Sequence, residues 1–181
     1  MRIGKVIVRL VIGGLFVGHG TQKLFGWFDG PGREDTGRFF ESLGLRPGRR
    51  HATAAGAAEA LGGAMLALGL MTPAAVAALT GVMVTAIRKV HGKNGVWVTE
   101  GGYEYNLVML AALLALVEDG PGPLSADRRL GIEVSGPVWA LAAVGGGVLA
   151  AYAATELATE AAEPEPQAEP APEQEPVAAA A

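Results

Sequence analysis

The chain has no cysteine. That excludes a disulfide, a thiolate nucleophile and thiol–disulfide exchange performed by the chain itself. Charge is also scarce: 18% of the 181 residues are Asp, Glu, Lys or Arg, against roughly a quarter in soluble domains. A basic excess is missing, with 14 Lys and Arg set against 18 Asp and Glu. Five of the acids, Glu163, Glu165, Glu169, Glu173 and Glu175, follow residue 160 with no base among them, so the body of the chain is near neutral. No nucleic acid is expected as a partner, because binding one requires a basic surface that replaces counterions. What the chain has instead is apolar sequence, 50% of its residues, collected into runs between clusters of charge.

A bilayer-crossing helix needs about 20 mostly apolar residues. The first run is Val6 to Gly20, with Arg9 near its start, where a long stem can snorkel toward the headgroups. A cleaved signal peptide competes for this end, since Arg2 and Lys5 precede the run. No small-x-small cleavage site follows it, however. Residues 29–50 read as a loop with a short amphipathic helix over 36–43 that carries Phe39 and Phe40. No charge occurs from Ala60 to Ile87, and Thr72-Pro73 breaks the run into a hairpin of helices, 52–71 and 73–90. His91 to Gly95 reads as a turn, and Trp97, Tyr103 and Tyr105 suit a membrane–water interface. A fourth helix is expected over 103–117, closed by Gly120-Pro121-Gly122-Pro123, and a fifth over 134–155.

The expected fold is all-α: a membrane helical bundle with a four-helix core and a fifth transmembrane helix. Three regions are expected: residues 1–130 as the bundle core, 131–157 as the added helix, and 158–181 as a disordered Ala/Pro/Glu tail too polar to fold. Gly14 with Gly18, and Gly62-Gly63, are expected to bring helices close, because lipid offers no hydrophobic drive between them. The lipid bilayer is the first partner. Orientation is left open by the positive-inside rule, since the six bases of residues 23–50 oppose Arg2, Lys5 and Arg9.

An up-and-down bundle gathers His19, Gln22, Lys23, Arg88, Lys89, His91, Asn94, Trp97, Tyr103 and Glu104 on one membrane face. The far end of the hairpin offers only Met71-Thr72-Pro73. Glu59 lies about 10 Å into its helix from that polar face. A carboxylate at such a depth must face the bundle, pair with a base or hold a proton, and the bases in reach are Lys23, Arg88, His19 and His91. Glu59 is then either a proton-relay or ligand-binding acid, or half of a structural ion pair. The candidates for chemistry are Glu59, His19 and His91. The candidates for ligand contact are Gln22, Lys23, Arg88, Asn94, Trp97, Tyr103 and Glu104. No metal site is expected, because no short His-x-x-x-His spacing occurs. Arg88 and Lys89 read most simply as headgroup anchors, and His51 as solvated.

At these same positions the sequence resembles the DoxX family of bacterial membrane proteins. The resemblance lies in His19-Gly20-Thr21-Gln22-Lys23-Leu24-Phe25-Gly26-Trp27-Phe28, Phe39-Phe40-Glu41-Ser42-Leu43-Gly44-Leu45 and Glu59-Ala60-Leu61-Gly62-Gly63. It continues in Leu68 to Pro73, His91 to Gly95 and Gly101 to Leu107, and covers about residues 5–130. It implies a four-helix membrane core in the bacterial inner (cytoplasmic) membrane and a place in redox assemblies, one relative resembling the membrane part of a thiosulfate:quinone oxidoreductase. The leading expectation is a membrane subunit of a quinone-linked, sulfur or oxidative-stress complex. It would have a quinone as possible cofactor and a redox protein or a second copy of the chain as partner. In it Glu59 would handle a proton, His19 or His91 would hydrogen-bond a carbonyl, and Trp97 or Tyr103 would line the ring. No flavin, iron–sulfur or nicotinamide motif is present, so electrons would come from the partner. The alternatives are a non-enzymatic membrane anchor or assembly factor, and a small transporter.

Overall fold

The computed structural model describes residues 3–160, with side chains described to Glu156. The tail expected to be disordered lies outside the described residues from 161 onward. Within them the chain forms seven α-helices and no strand: α1 Ile3–Phe25, α2 Gly32–Ser42, α3 Gly48–Leu68, α4 Thr72–Ala86, α5 Glu104–Glu118, α6 Ala126–Leu130 and α7 Pro137–Glu160. Three segments are long and apolar enough to cross a membrane: α1, α4 with its extension to Asn94, and residues Pro137–Glu156 of α7. Ile7, Leu10, Val11, Leu61, Val108, Leu141 and Leu149 point outward, as expected for helices that meet lipid rather than water. The chain is a helical membrane bundle.

The five long helices alternate in direction around a core of Phe16, Leu66, Val76, Leu79, Leu113 and Val117, each at most 2% exposed. α1 packs on α3, α3 on α4, and α7 lies against α4 and α5. The α3–α4 turn closes with Gly69 at φ 62°, where Leu70 N–H donates to Met65 O and Gly69 N–H to Leu66 O, a helix stop that satisfies the last carbonyls.

Close backbone contact sets the α1–α3 seam, through Gly63 of α3 as expected but through different glycines of α1. A Cβ on Gly13 would lie 2.5 Å from Gly63 O, one on Gly63 would lie 2.6 Å from Gly13 O, and one on Gly20 would lie 2.5 Å from Ala60 N. Gly14 and Gly18 meet nothing within 4 Å. Both pairs have the spacing that helix packing favours, and only burial decides which faces the partner. Gly62 and Gly63 divide the work, Gly62 receiving Leu79 of α4 and Gly63 receiving α1.

Arg9 does not snorkel. It is 2% exposed and turned into the bundle end, where it donates to Ala67 O at 3.1 Å, to Leu124 O at 2.6 Å and to Pro121 O. Ala67 lies in the last turn of α3, where carbonyls have no partner within the helix. Without water, an inward guanidinium is the available donor. The same end is richer than Met71-Thr72-Pro73 suggested. Asp127 of α6, 1% exposed, accepts from Met71 N at 2.6 Å, Thr72 N at 3.0 Å and Thr72 Oγ1 at 2.9 Å. A carboxylate from a distant segment thus caps the start of α4, with Lys5 paired to Asp119 beside it at 3.3 Å.

Two substitutions test this packing by unfolding in detergent. Gly13→Ala is expected to destabilise by about 1–3 kcal/mol because its methyl overlaps backbone, while Gly14→Ala leaves the midpoint unchanged or raised. Arg9→Met strips three buried carbonyls and Asp127 of their cation and is expected to cost about 3–5 kcal/mol; an unchanged midpoint would contradict the inward arginine.

Candidate functional site

At the opposite, polar end, α1 brings His19 and Lys23 over α3. Lys23 Nζ donates to both oxygens of Glu59, at 2.9 Å to Oε1 and 2.6 Å to Oε2. Glu59 is 3% exposed, and Lys23 and His19 are the positively charged or chargeable groups that act on it. The pair follows from the seam: Gly20 meets Gly56 and Ala60 in close backbone approach, which puts Glu59 at the height of Gly20 and within reach of the long side chain of Lys23 one turn further along α1. An ion pair this buried repays its desolvation only with good geometry, and double donation from one ammonium supplies it.

The α4 helix does not stop at a turn. It continues as a π turn over Ile87–His91, closed by Gly92 N–H donating to Ile87 O, and then as a 3₁₀ turn over Gly92–Asn94. Arg88 is no headgroup anchor. It donates to Thr155 Oγ1 and to Glu156 Oε1, the latter at 2.8 Å, and lies 3.7 Å over the Tyr152 ring. It therefore ties α7 to the end of α4.

Between these elements lies a cavity of about 670 Å³. Its walls are mainly Ala, Gly, Leu, Val and Phe, with Phe39 and Phe40 of α2 on one side and Ala150, Ala151 and Ala154 of α7 on another. It is open at exposed positions such as Leu15, Ala54 and Ala150 along the helices. Its charged and imidazole-bearing residues are Lys23, Glu59, Lys89, His19, His51 and His91.

Four of the residues picked out from sequence therefore meet: Glu59, His19, His91 and Lys23 all line one cavity. The others lie outside its lining. Gln22 packs under Gly30 and bonds His19 at 3.2 Å. Asn94 donates to Gly101 O, and Glu104 accepts from Val98 N at 3.0 Å, so both hold the loop before α5. Trp97 is 66% exposed, and Tyr103 also stands away from the lining, which takes Tyr105 and Asn106 of α5 instead. Lys89 and His51, read from sequence as outward-facing groups, line the cavity. The signal that could have found Lys89 is its spacing of four and eight residues from Thr85 and Gly81 of the same lining. Among the described residues no three of His, Asp and Glu group closely enough to hold a metal ion.

Residues 4–92 match the model of the DoxX family. The chain is 32% identical over 137 residues to the uncharacterized membrane protein Rv3486 of Mycobacterium tuberculosis (strain ATCC 25618 / H37Rv). That alignment covers 69% of this chain and 80% of the relative. No solved structure matches the chain. The family match and this relative agree: the chain belongs to the DoxX family of membrane proteins.

Proposed function

We propose that the chain is the quinone-binding membrane subunit of a redox complex in the cytoplasmic membrane. The observation that carries this reading is the cavity: an apolar space of about 670 Å³ with the Lys23–Glu59 pair and three histidines on its wall. Ligand pockets of about 300–1,000 Å³ hold a small molecule with most of its surface buried. The apolar walls suit a ring and its tail, and openings between helices admit a molecule dissolved in lipid. Reduction of a quinone to a quinol takes two electrons and two protons. A separate redox protein supplies the electrons. The Lys23–Glu59 pair holds an exchangeable proton at Lys23 Nζ within the cavity and within reach of the polar face. The proposed orientation puts that face in the cytoplasm, because Arg33, Arg38, Arg46, Arg49, Arg50 and Lys93 cluster there and the inward Arg9 no longer weighs against it.

A non-enzymatic anchor is the second reading. It is favoured by the use of Arg88, Asn94 and Glu104 in bonds within the chain.

Purified protein is expected to bind a menaquinone or ubiquinone analogue saturably, read as quenching of tryptophan fluorescence. Glu59→Gln is expected to weaken that binding about tenfold, the worth of one lost charged hydrogen bond, read on the folded fraction because the substitution also breaks the buried pair with Lys23. Absence of saturable binding, alone and with an electron-donating partner, favours the anchor. The lack of cysteine makes orientation directly readable: Ser42→Cys should react with a membrane-impermeant maleimide only from the cytoplasmic side, and Ser135→Cys only from the other.

A further inference from the structure

The cavity carries one more cation than it has acid to neutralise. Glu59 is the only carboxylate among its described lining residues, and Lys23 already holds both of its oxygens. Lys89 lines the same cavity, is half-buried, and makes no hydrogen bond or ion pair among the described residues. Lys89 follows Gly81 and Thr85 of the same lining at intervals of four residues, so it continues the face that α4 turns to the cavity. Its neighbour Arg88 lies on the adjoining face and goes to α7. The π turn over Ile87–His91 carries the helix on past Lys89 and keeps His91 in the lining as well.

His91 is set by its other nitrogen. Nδ1 lies 2.8 Å from Gly101 O, and a carbonyl only accepts, so Nδ1 carries the proton and Nε2 of the neutral ring is an acceptor. The lining therefore includes a donor cation, Lys89, and an imidazole, His91, whose Nδ1 is already engaged. An unpaired ammonium in an apolar space favours an anionic oxygen on whatever binds there.

We propose that Lys89 is the specificity-determining residue of the cavity, selecting a quinone that carries an anionic oxygen, such as a deprotonated hydroxyquinone, over a neutral quinone of the same size. This rests on the quinone reading above. Lys89 holds the anionic ring oxygen by a charge-assisted hydrogen bond. The Lys23–Glu59 pair, internally neutral, stays out of this choice.

The test uses the full chain in detergent and two probes: 2-hydroxy-1,4-naphthoquinone, an anion near neutral pH, and 1,4-naphthoquinone, which is neutral. The wild-type protein is expected to bind the hydroxyquinone about tenfold more tightly, the worth of one charged hydrogen bond. Lys89→Gln removes that preference and leaves binding of the neutral probe in place, and Lys89→Arg restores it. Equal binding of the two probes by the wild-type protein overturns the proposal while the quinone reading stands. So does a Lys89→Gln variant that weakens both probes alike. Failure of both probes to bind the wild-type protein overturns the quinone reading and this inference with it. The wild-type comparison needs no variant, so a poorly folding substitution does not decide the matter.

Discussion

The Lys23–Glu59 pair is the interaction on which the polar half of the bundle depends. Its cost is set by burial: a carboxylate 3% exposed inside a membrane bundle has no water to solvate it, and one ammonium must serve both oxygens. That ammonium arrives at the right height only because α1 and α3 touch backbone to backbone at Gly13–Gly63 and again at Gly20. A methyl group at either contact would move Lys23 relative to Glu59. Packing without side chains at the seam and the ion pair beside it are therefore one structural unit, and the cavity takes part of its wall from that unit.

The two ends of the bundle treat buried charge differently. At the lower end, Arg9 and Asp127 are fully engaged with backbone groups: three carbonyls for the arginine, and two amides and a hydroxyl for the aspartate. Such groups fix the ends of helices and close the structure. At the upper end the charged groups face a space. Glu59 and Lys23 satisfy each other, while Lys89 has a cavity before it and no partner among the described residues. A bundle that resolves its charges at one end and leaves a cation facing a cavity at the other is arranged for closure below and for binding above.

Much of this was legible in the sequence. Uncharged runs gave five long helices within a few residues of their observed ends, because a lipid-spanning helix cannot hide its composition. The gathering of His19, Lys23, Glu59 and His91 on one cavity followed from topology alone, since alternating helices leave few choices about which ends meet. The phase of each helix was not legible. Gly14 and Gly18 have the spacing of a seam, yet the seam runs through Gly13 and Gly20, one and two positions away, on a stretch of α1 that is uncharged between Arg9 and His19. Arg9 looked like a snorkelling residue because sequence shows its height in the membrane and not the direction it faces. Arg88 and Lys89, both read as headgroup anchors, turn out to face α7 and the cavity because composition does not show which face of α4 meets which neighbour. Asp127 was missed because its partners, Met71 and Thr72, lie 55 or more residues away in sequence.

The central claim is that an apolar ring with a polar edge occupies the cavity beside Lys23 and Glu59. Photo-crosslinking of an azido-substituted prenylated quinone to membranes containing the full chain, followed by peptide mapping, tests it most directly. The account predicts label on the cavity-lining stretches of α3 around His51 to Glu59 and on the π turn around Lys89, competed away by unlabelled quinone. Label confined to the lipid-facing sides of α1 and α7, around Val8 or Leu149 and unaffected by competitor, would contradict it.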